Sequence, residues 1–297
     1  MNSAEISLMT FIALTAAMAA ASPPTDRPIG FIGVGVMNSA IVRGLCTLDS
    51  PPSAIVLSPR NAALAASLHA QWPSRVSVGT SNQQVVDACD LLFLGVLPKH
   101  YEEVCTAIRF RPDHLVVSLV STAPLAKLRE ICAPATVVRA IPLPPVATHR
   151  GATIMCPPHE RVTPLFESLG TCVAVEDEEM MKKMMPVTAL MGQLYAQQLA
   201  TQHWLEAQGV DTSSAAKWTG AVYHCVTSDS ARPLPHTFQH LVDEQTKGGL
   251  NEQVIREMRE AGAYAALSDS LDGCLARIQG RTAAKKRKNP YSSALED

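Results

Sequence analysis

Charge is scarce in this chain of 297 residues: Asp, Glu, Lys and Arg make up 18% and the formal net charge is −2. That balance excludes a basic surface built to coat a phosphate backbone, and no nucleic-acid partner is expected. With 47% apolar residues the chain is also not disordered as a whole. The eight cysteines, at 46, 89, 105, 132, 156, 172, 225 and 274, include no Cys-x-x-Cys pair and no Cys/His grouping at zinc-ligand spacing, so no metal is expected. A chain of this length buries a large core and needs no disulfide staples; the thiols read as reduced and mostly buried, in a cytoplasmic protein. A membrane-spanning run is missing too. Leu8 to Ala21 is apolar but too short to cross a bilayer, lacks a preceding Lys or Arg and follows Glu5. Residues 1–26 therefore read as a flexible or targeting segment. Lys285-Lys286-Arg287-Lys288 places a basic, disordered tail over 281–297.

What is present divides the chain in two. Short β-branched or apolar runs at Ile29–Ile32, Ile55–Leu57, Val76–Val78, Leu91–Val96, Leu115–Val120, Thr136–Ala140, Ala152–Met155 and Cys172–Val175 alternate with helix-patterned stretches. Strand followed by helix five times over is the pattern of parallel βαβ units. From Asp177 to about Gln279 only long helical periodicity remains, broken at Gly209, Pro233-Leu234-Pro235 and Gly262. Asp177 to Gln208 reads as one helix long enough to cross a domain, its run Met180, Met181, Met184 and Met185 serving as core or subunit interface. The expected fold is α/β: a Rossmann-type, mostly parallel sheet over 27–176 followed by an all-α domain over 177–280.

The first strand runs straight into Gly33-Val34-Gly35 and then an amphipathic helix. Pyrophosphate binding requires that arrangement: one glycine for the tight turn, a second to let the cofactor approach the backbone, and a helix N-terminus offering free N–H groups. Gly33, Val34, Gly35, Val36 and Met37 are thus the cofactor-binding loop. The third fingerprint position, normally Gly or Ala, is Asn38. The second strand ends Leu57-Ser58-Pro59-Arg60-Asn61, without the carboxylate that would hold the ribose hydroxyls of NAD. Ser58 can donate a hydrogen bond, Arg60 can pair with a 2′-phosphate and Asn61 can cap the next helix, so NADP is the expected cofactor.

Residues 29–45, IGFIGVGVMNSAIVRGL, resemble the opening of pyrroline-5-carboxylate reductases, and the resemblance extends along most of residues 28–280. Asp90 to Pro98 is similar to that family's fourth strand and cofactor-contacting loop, which brings Val96, Leu97 and Pro98 into the cofactor site. Val116-Val117-Ser118 resembles its fifth strand, Arg139-Ala140-Ile141-Pro142 the approach to its Met-Pro-Asn-Thr-Pro loop, and Gly248-Gly249 the start of its Gly-Gly-Thr-Thr motif. The resemblance implies an NADP-binding domain, a helical domain that dimerises, and an active site to which both domains and the partner subunit contribute. It also implies reduction of pyrroline-5-carboxylate to proline by hydride transfer from the nicotinamide, in proline biosynthesis.

Departures gather on the substrate side. Asn-Thr-Pro is replaced by Leu143-Pro144-Pro145, Val-Lys-Pro by Val96-Leu97-Pro98, and the family's Ser-Gly-Ser-Gly-Pro-Ala-Tyr turn leaves only Thr188-Ala189-Leu190-Met191-Gly192. Gly-Gly-Thr-Thr becomes Gly248-Gly249-Leu250-Asn251-Glu252-Gln253. Gly248, Gly249 and Leu250 are the expected substrate-binding residues, with Asn251 and Glu252 as catalytic candidates that position a proton donor. The alternative is that Asn251 caps the helix and Glu252 sits in its first turn. A Glu beside a carboxylate substrate would be repulsive, which points to an altered substrate. Two other functions are open. A β-hydroxyacid dehydrogenase wants a Lys with an Asn one turn later, whereas Lys182 and Lys183 precede Pro186 and Val187. A non-catalytic NADP-binding sensor or assembly protein would need no polar substrate loop. His100, His149 and His203 are isolated and decide nothing.

Overall fold

The computed structural model describes residues 28–231 and 234–281. The expectations for segment 1–26, for Pro233 and for the tail beyond Arg281 lie outside the described residues. Those described form two compact units that divide between Met181 and Lys182.

In the first unit every apolar run becomes a strand. The eight are β1 (Ile29–Ile32), β2 (Ile55–Leu57), β3 (Val76–Val78), β4 (Leu91–Leu94), β5 (Leu115–Ser118), β6 (Thr136–Pro142), β7 (Gly151–Cys156) and β8 (Gly170–Ala174). They form one sheet in the order β3-β2-β1-β4-β5-β6-β7-β8. All neighbours are parallel except β6 and β7, which form an antiparallel pair. Strands β1, β4 and β5 are buried at every residue, as central strands of a sheet covered on both faces must be. The cover comes from α1 (Val36–Cys46), α2 (Ala62–Gln71), α3 (Asn82–Ala88), α4 (Tyr101–Thr106), α5 (Leu125–Ile131) and α6 (Val162–Ser168). Phe31 and Phe93, on adjacent strands, stack with centroids 4.9 Å apart, and Phe166 of α6 meets Phe93 edge-on at 6.1 Å. Such offset and edge geometries are the favoured ones for aromatic quadrupoles.

The Leu143-Pro144-Pro145 segment forms a 3₁₀ turn, Pro144–Thr148, that packs on α1. Gly44 makes room for it, since a Cβ there would stand 2.3 Å from the Val146 carbonyl oxygen. His149 closes the turn at φ 57°, its Nε2 lying 2.9 Å from the Gly44 oxygen and 3.2 Å from Thr47 Oγ1. Proline supplies the fixed φ for such a turn, so this stretch is a packing element of the first unit.

The single helix expected over 177–208 is in fact two helices with a break. α7 (Glu178–Met184) gives way to a 3₁₀ turn at Met185–Ala189, and α8 (Leu190–Ala207) begins anew. Pro186 is the cause: it has no N–H for the helical ladder and its ring crowds the preceding turn. Of the methionines, Met181 and Met185 are buried and Met180 is exposed. At the base of α7, Glu178 Oε1 accepts the Leu125 N–H at 2.7 Å and pairs with Arg139 Nη1, while Arg139 Nη2 donates to the Ser121 oxygen at 2.7 Å. Arg139 is 2% exposed and Glu178 19%, so a nearly buried ion pair ties β6, the β5–α5 loop and α7 together.

The second unit is all helix: α8, α9 (Thr212–Asp229), α10 (Thr237–Asp243), α11 (Leu250–Glu260) and α12 (Ala263–Ile278). Gly209 and Gly262, at φ 87° and 75°, terminate α8 and α11 in the left-handed region that glycine enters without strain. Asp211 caps α9 by accepting the Ser214 N–H at 3.0 Å. None of the described helices is long and apolar enough to cross a membrane.

Candidate cofactor and substrate sites

The cofactor loop lies between β1 and α1, where the carboxyl ends of parallel strands and a helix N-terminus meet, the usual place for a ligand in an open α/β sheet. Its carbonyls are all engaged. Ile32 O accepts from Gly95 N at 2.9 Å and from Asn38 Nδ2 at 3.3 Å. Gly33 O accepts from Asn38 Nδ2 at 2.6 Å, Val34 O from Asn61 Nδ2 at 3.0 Å, and Gly35 O from the Ser39 N–H and hydroxyl at 3.0 and 2.7 Å. Gly33 donates its N–H to Ser58 Oγ at 2.8 Å. The N–H groups of Val34, Gly35, Val36, Met37 and Asn38 have no acceptor among the described residues. With the acceptors turned inward and the donors left at the positive end of a helix, the loop can receive an anion.

Two glycines serve different needs. Gly33 sits at φ +84°, and a Cβ on it would stand 2.7 Å from the Gly95 carbonyl oxygen and 2.8 Å from Val96 Cγ1. Gly35 has nothing nearer its Cβ position than Gly95 O at 3.9 Å, so that space is open to a ligand. The residues therefore fit a dinucleotide pyrophosphate.

At the end of β2, Ser58 is fully buried, so its contact is with the glycine loop. Arg60 is exposed, and no carboxylate accompanies it at the strand end. Asn61 caps α2 by accepting the Leu64 N–H at 3.4 Å, as its position suggested. Its second bond, to Val34 O, ties α2's start to the glycine loop and was not foreseen. Val96, Leu97 and Pro98 follow β4, the neighbour of β1; Leu97 and Pro98 are exposed, and Pro98 opens a 3₁₀ turn to His100.

Gly248, Gly249, Leu250, Asn251 and Glu252 belong to the second unit. The N-cap of α11 is Gly249, and Asn251 is already inside the helix, its Nδ2 donating to Gln245 Oε1 at 2.6 Å. The expectation that Asn251 caps the helix is thus corrected: the chain turns at Gly248, φ 72°, and the helix starts one residue after Gly249. Glu252 does lie in the first turn, where its Oε2 accepts the Gly248 N–H at 2.5 Å. A carboxylate reaching back from the third helical position is a familiar way to satisfy an orphan donor. No group of three His, Cys, Asp or Glu side chains that could hold a metal occurs among the described residues.

Comparison with known proteins gives a consistent picture. Residues 28–122 match the family model described as NADP oxidoreductase, coenzyme F420-dependent. Pyrroline-5-carboxylate reductase of Escherichia coli is 26% identical over 277 residues, covering 86% of this chain and 98% of that protein. Pyrroline-5-carboxylate reductase 3 of Danio rerio is 33% identical over 156 residues, a match spanning 50% of this chain and 53% of that protein. In fold, the chain is similar to a pyrroline-5-carboxylate reductase from Coxiella burnetii, with a TM-score of 0.75 at 19% identity over 88% of this chain and 100% of that one. The Plasmodium falciparum pyrroline carboxylate reductase solved with NADP bound gives 0.69 at 15% identity over 86% and 98%.

Proposed function

We propose that the chain is a divergent member of the pyrroline-5-carboxylate reductase family and an NADPH-dependent reductase acting on a small cyclic imine, pyrroline-5-carboxylate or a close analogue; the family-model match over residues 28–122 and the 26% identity to the Escherichia coli enzyme support the reading. The observation that carries this reading is the glycine loop, with its carbonyls bound inward and five N–H groups left free. In this reading Gly33 to Met37 hold the pyrophosphate, and Ser58 fixes the loop through Gly33. Arg60 takes the 2′-phosphate that separates NADP from NAD. Val96, Leu97 and Pro98 flank the cofactor from the neighbouring strand. NADPH supplies a hydride when bound.

The protein's part in the chemistry is then orientation and charge. A C=N carbon whose nitrogen is protonated is already electrophilic; it gains the hydride, and the nitrogen keeps its proton and becomes an amine. Gly248, Gly249 and Leu250 form the substrate-binding turn at the start of α11, where the N–H groups of Gly248 and Gly249 are bonded to Glu252 and Thr246 and the Leu250 N–H is the donor left for the substrate, with Asn251 and Glu252 placing the proton. Glu252 also favours one version of the reaction. Its carboxylate, held on Gly248 N–H, repels a carboxylated imine and attracts a protonated imine without one. Turnover of 1-pyrroline against pyrroline-5-carboxylate, for the parent and for Glu252→Gln, tests this. Preference for 1-pyrroline that weakens in the variant supports it; preference for the carboxylated imine in both removes it.

The second unit leaves Trp204, Trp218, Phe238 and Leu250 between 59% and 79% exposed, and large apolar side chains of this kind are what a subunit interface covers. We assign that surface to a second copy of the chain, a homodimer whose mass light scattering would report; a monomer at micromolar concentration contradicts it. The eight free cysteines fit a reducing, cytoplasmic setting. The β-hydroxyacid dehydrogenase alternative is weakened because Pro186 breaks the helix one turn after Lys182 and Lys183. A non-catalytic NADP-binding protein would bind NADPH and reduce neither imine.

A further inference from the structure

We infer that Asn38 and Gly95 act as one positioning device for the cofactor loop, the Asn38 carboxamide taking the role that a third glycine has elsewhere. The inference rests on the NADPH-binding reading given above. A third glycine in such a loop lets helix and strand approach closely, and Asn38 should be too large for the place. It fits because position 95 has no side chain. A Cβ at Gly95 would stand 2.5 Å from Asn38 Nδ2, 2.7 Å from its Cγ and 2.9 Å from its Oδ1, and these are its three nearest atoms. The carboxamide therefore lies flat against Gly95. Gly95 is outside the positive-φ region, so its backbone does not call for glycine; Asn38 does.

In that berth the side chain is 1% exposed and its Nδ2 reaches two successive carbonyls, Ile32 at 3.3 Å and Gly33 at 2.6 Å. The Gly33 bond has the greater consequence. Gly33 is the residue at φ +84°, and holding its carbonyl inward fixes the peptide that presents the Val34 N–H. Oδ1 finds no donor among the described residues, which orients the amide by its nitrogen. Keeping a buried acceptor unpaired is unfavourable, so the side chain is held there by what Nδ2 does. Asn38 touches no cofactor atom in this account. It is a positioning residue acting through Gly33.

The test measures NADPH affinity by nicotinamide fluorescence alongside the melting temperature of the cofactor-free protein. Asn38→Ala, which installs a residue the fingerprint accepts, is expected to weaken NADPH binding about tenfold at temperatures where it is fully folded, the scale of one hydrogen bond lost. Gly95→Ala should weaken it similarly by displacing the carboxamide. The double variant should bind no worse than Asn38→Ala alone, because truncating the carboxamide at position 38 leaves room for a methyl group at position 95. A folded Asn38→Ala that binds within about twofold of the parent, whatever its melting temperature, overturns the inference, and so do additive losses in the double variant. Should Asn38→Ala fail to fold, Gly95→Ala decides by the same measure: unchanged affinity overturns the inference. If the unaltered chain does not bind NADPH, the cofactor reading itself falls and this inference with it.

Discussion

Ser58, the residue after β2, accepts the Gly33 N–H of the β1–α1 loop at 2.8 Å, although the two lie on different strands' ends and Ser58 is wholly buried. The contact supports the loop from below. Ser58→Ala would leave the Gly33 N–H without a partner, at a cost of about 1–3 kcal/mol. NADPH affinity is expected to fall about tenfold with the melting temperature lowered by several degrees, read by fluorescence titration and thermal unfolding. Unchanged affinity would remove Ser58 from the site.

Arg60 answers a different question, because it is exposed at the strand end rather than built into the loop. If it pairs with the 2′-phosphate, Arg60→Ala loses a charge-assisted contact of about 1.5–3 kcal/mol, or roughly ten- to hundredfold in affinity. The loss should appear for NADPH and not for NADH. Equal effects on both cofactors would make Arg60 an ordinary surface arginine.

The Arg139–Glu178 pair is expected to be asymmetric. Arg139 is the more deeply buried partner, so Glu178→Ala strands an unpaired cation and should destabilise by about 3–5 kcal/mol. Arg139→Met leaves a carboxylate that is 19% exposed and should cost less. Denaturant unfolding of both variants and of the pair Arg139→Met/Glu178→Leu checks this, with the double variant nearer the parent than Glu178→Ala.

Acid sensitivity should involve His114. It is 1% exposed, its Nδ1 accepts the Arg111 N–H at 3.0 Å, and burial, with Arg111 adding, pushes its pKa below the ordinary 6.5. Burial lowers His159 in the same way. The unfolded chain then binds more protons than the folded one in the window from 6.5 down to the depressed values. Stability is full above 6.5 and declines as pH falls through that window. His114→Asn, which keeps an acceptor for Arg111, should flatten part of the decline in melting temperature between about pH 7 and 5.

Much of the first unit was legible because parallel strands buried on both faces read as apolar runs, and each such run became a strand. The ends were less so: β4 stops at Leu94, short of the apolar run's end at Val96, and β6 extends to Pro142 because it gains an antiparallel partner in β7. Pro186 did carry a visible signal for the broken helix; the periodicity on either side masked it. At the cofactor site the spacing of Gly33 and Gly35 marked the turn, but Ser58, expected to donate to a phosphate, is buried and accepts the Gly33 N–H instead. Asn38 in isolation reads as a blemish, since no local pattern links it to a glycine far along the chain. On the substrate side, caps and anion sites use the same residue types, so Asn251 and Glu252 read either way from sequence; the structure gives the N-cap to Gly249 and places Glu252 in the first turn.

The central claim is that this loop carries a hydride donor for a cyclic imine, and NADPH oxidation by the purified full chain tests it most directly. With pyrroline-5-carboxylate or 1-pyrroline present near neutral pH, oxidation should exceed background and yield one amine, proline or pyrrolidine, per NADPH consumed. NADPH binding with no imine-dependent oxidation of either substrate would contradict the account.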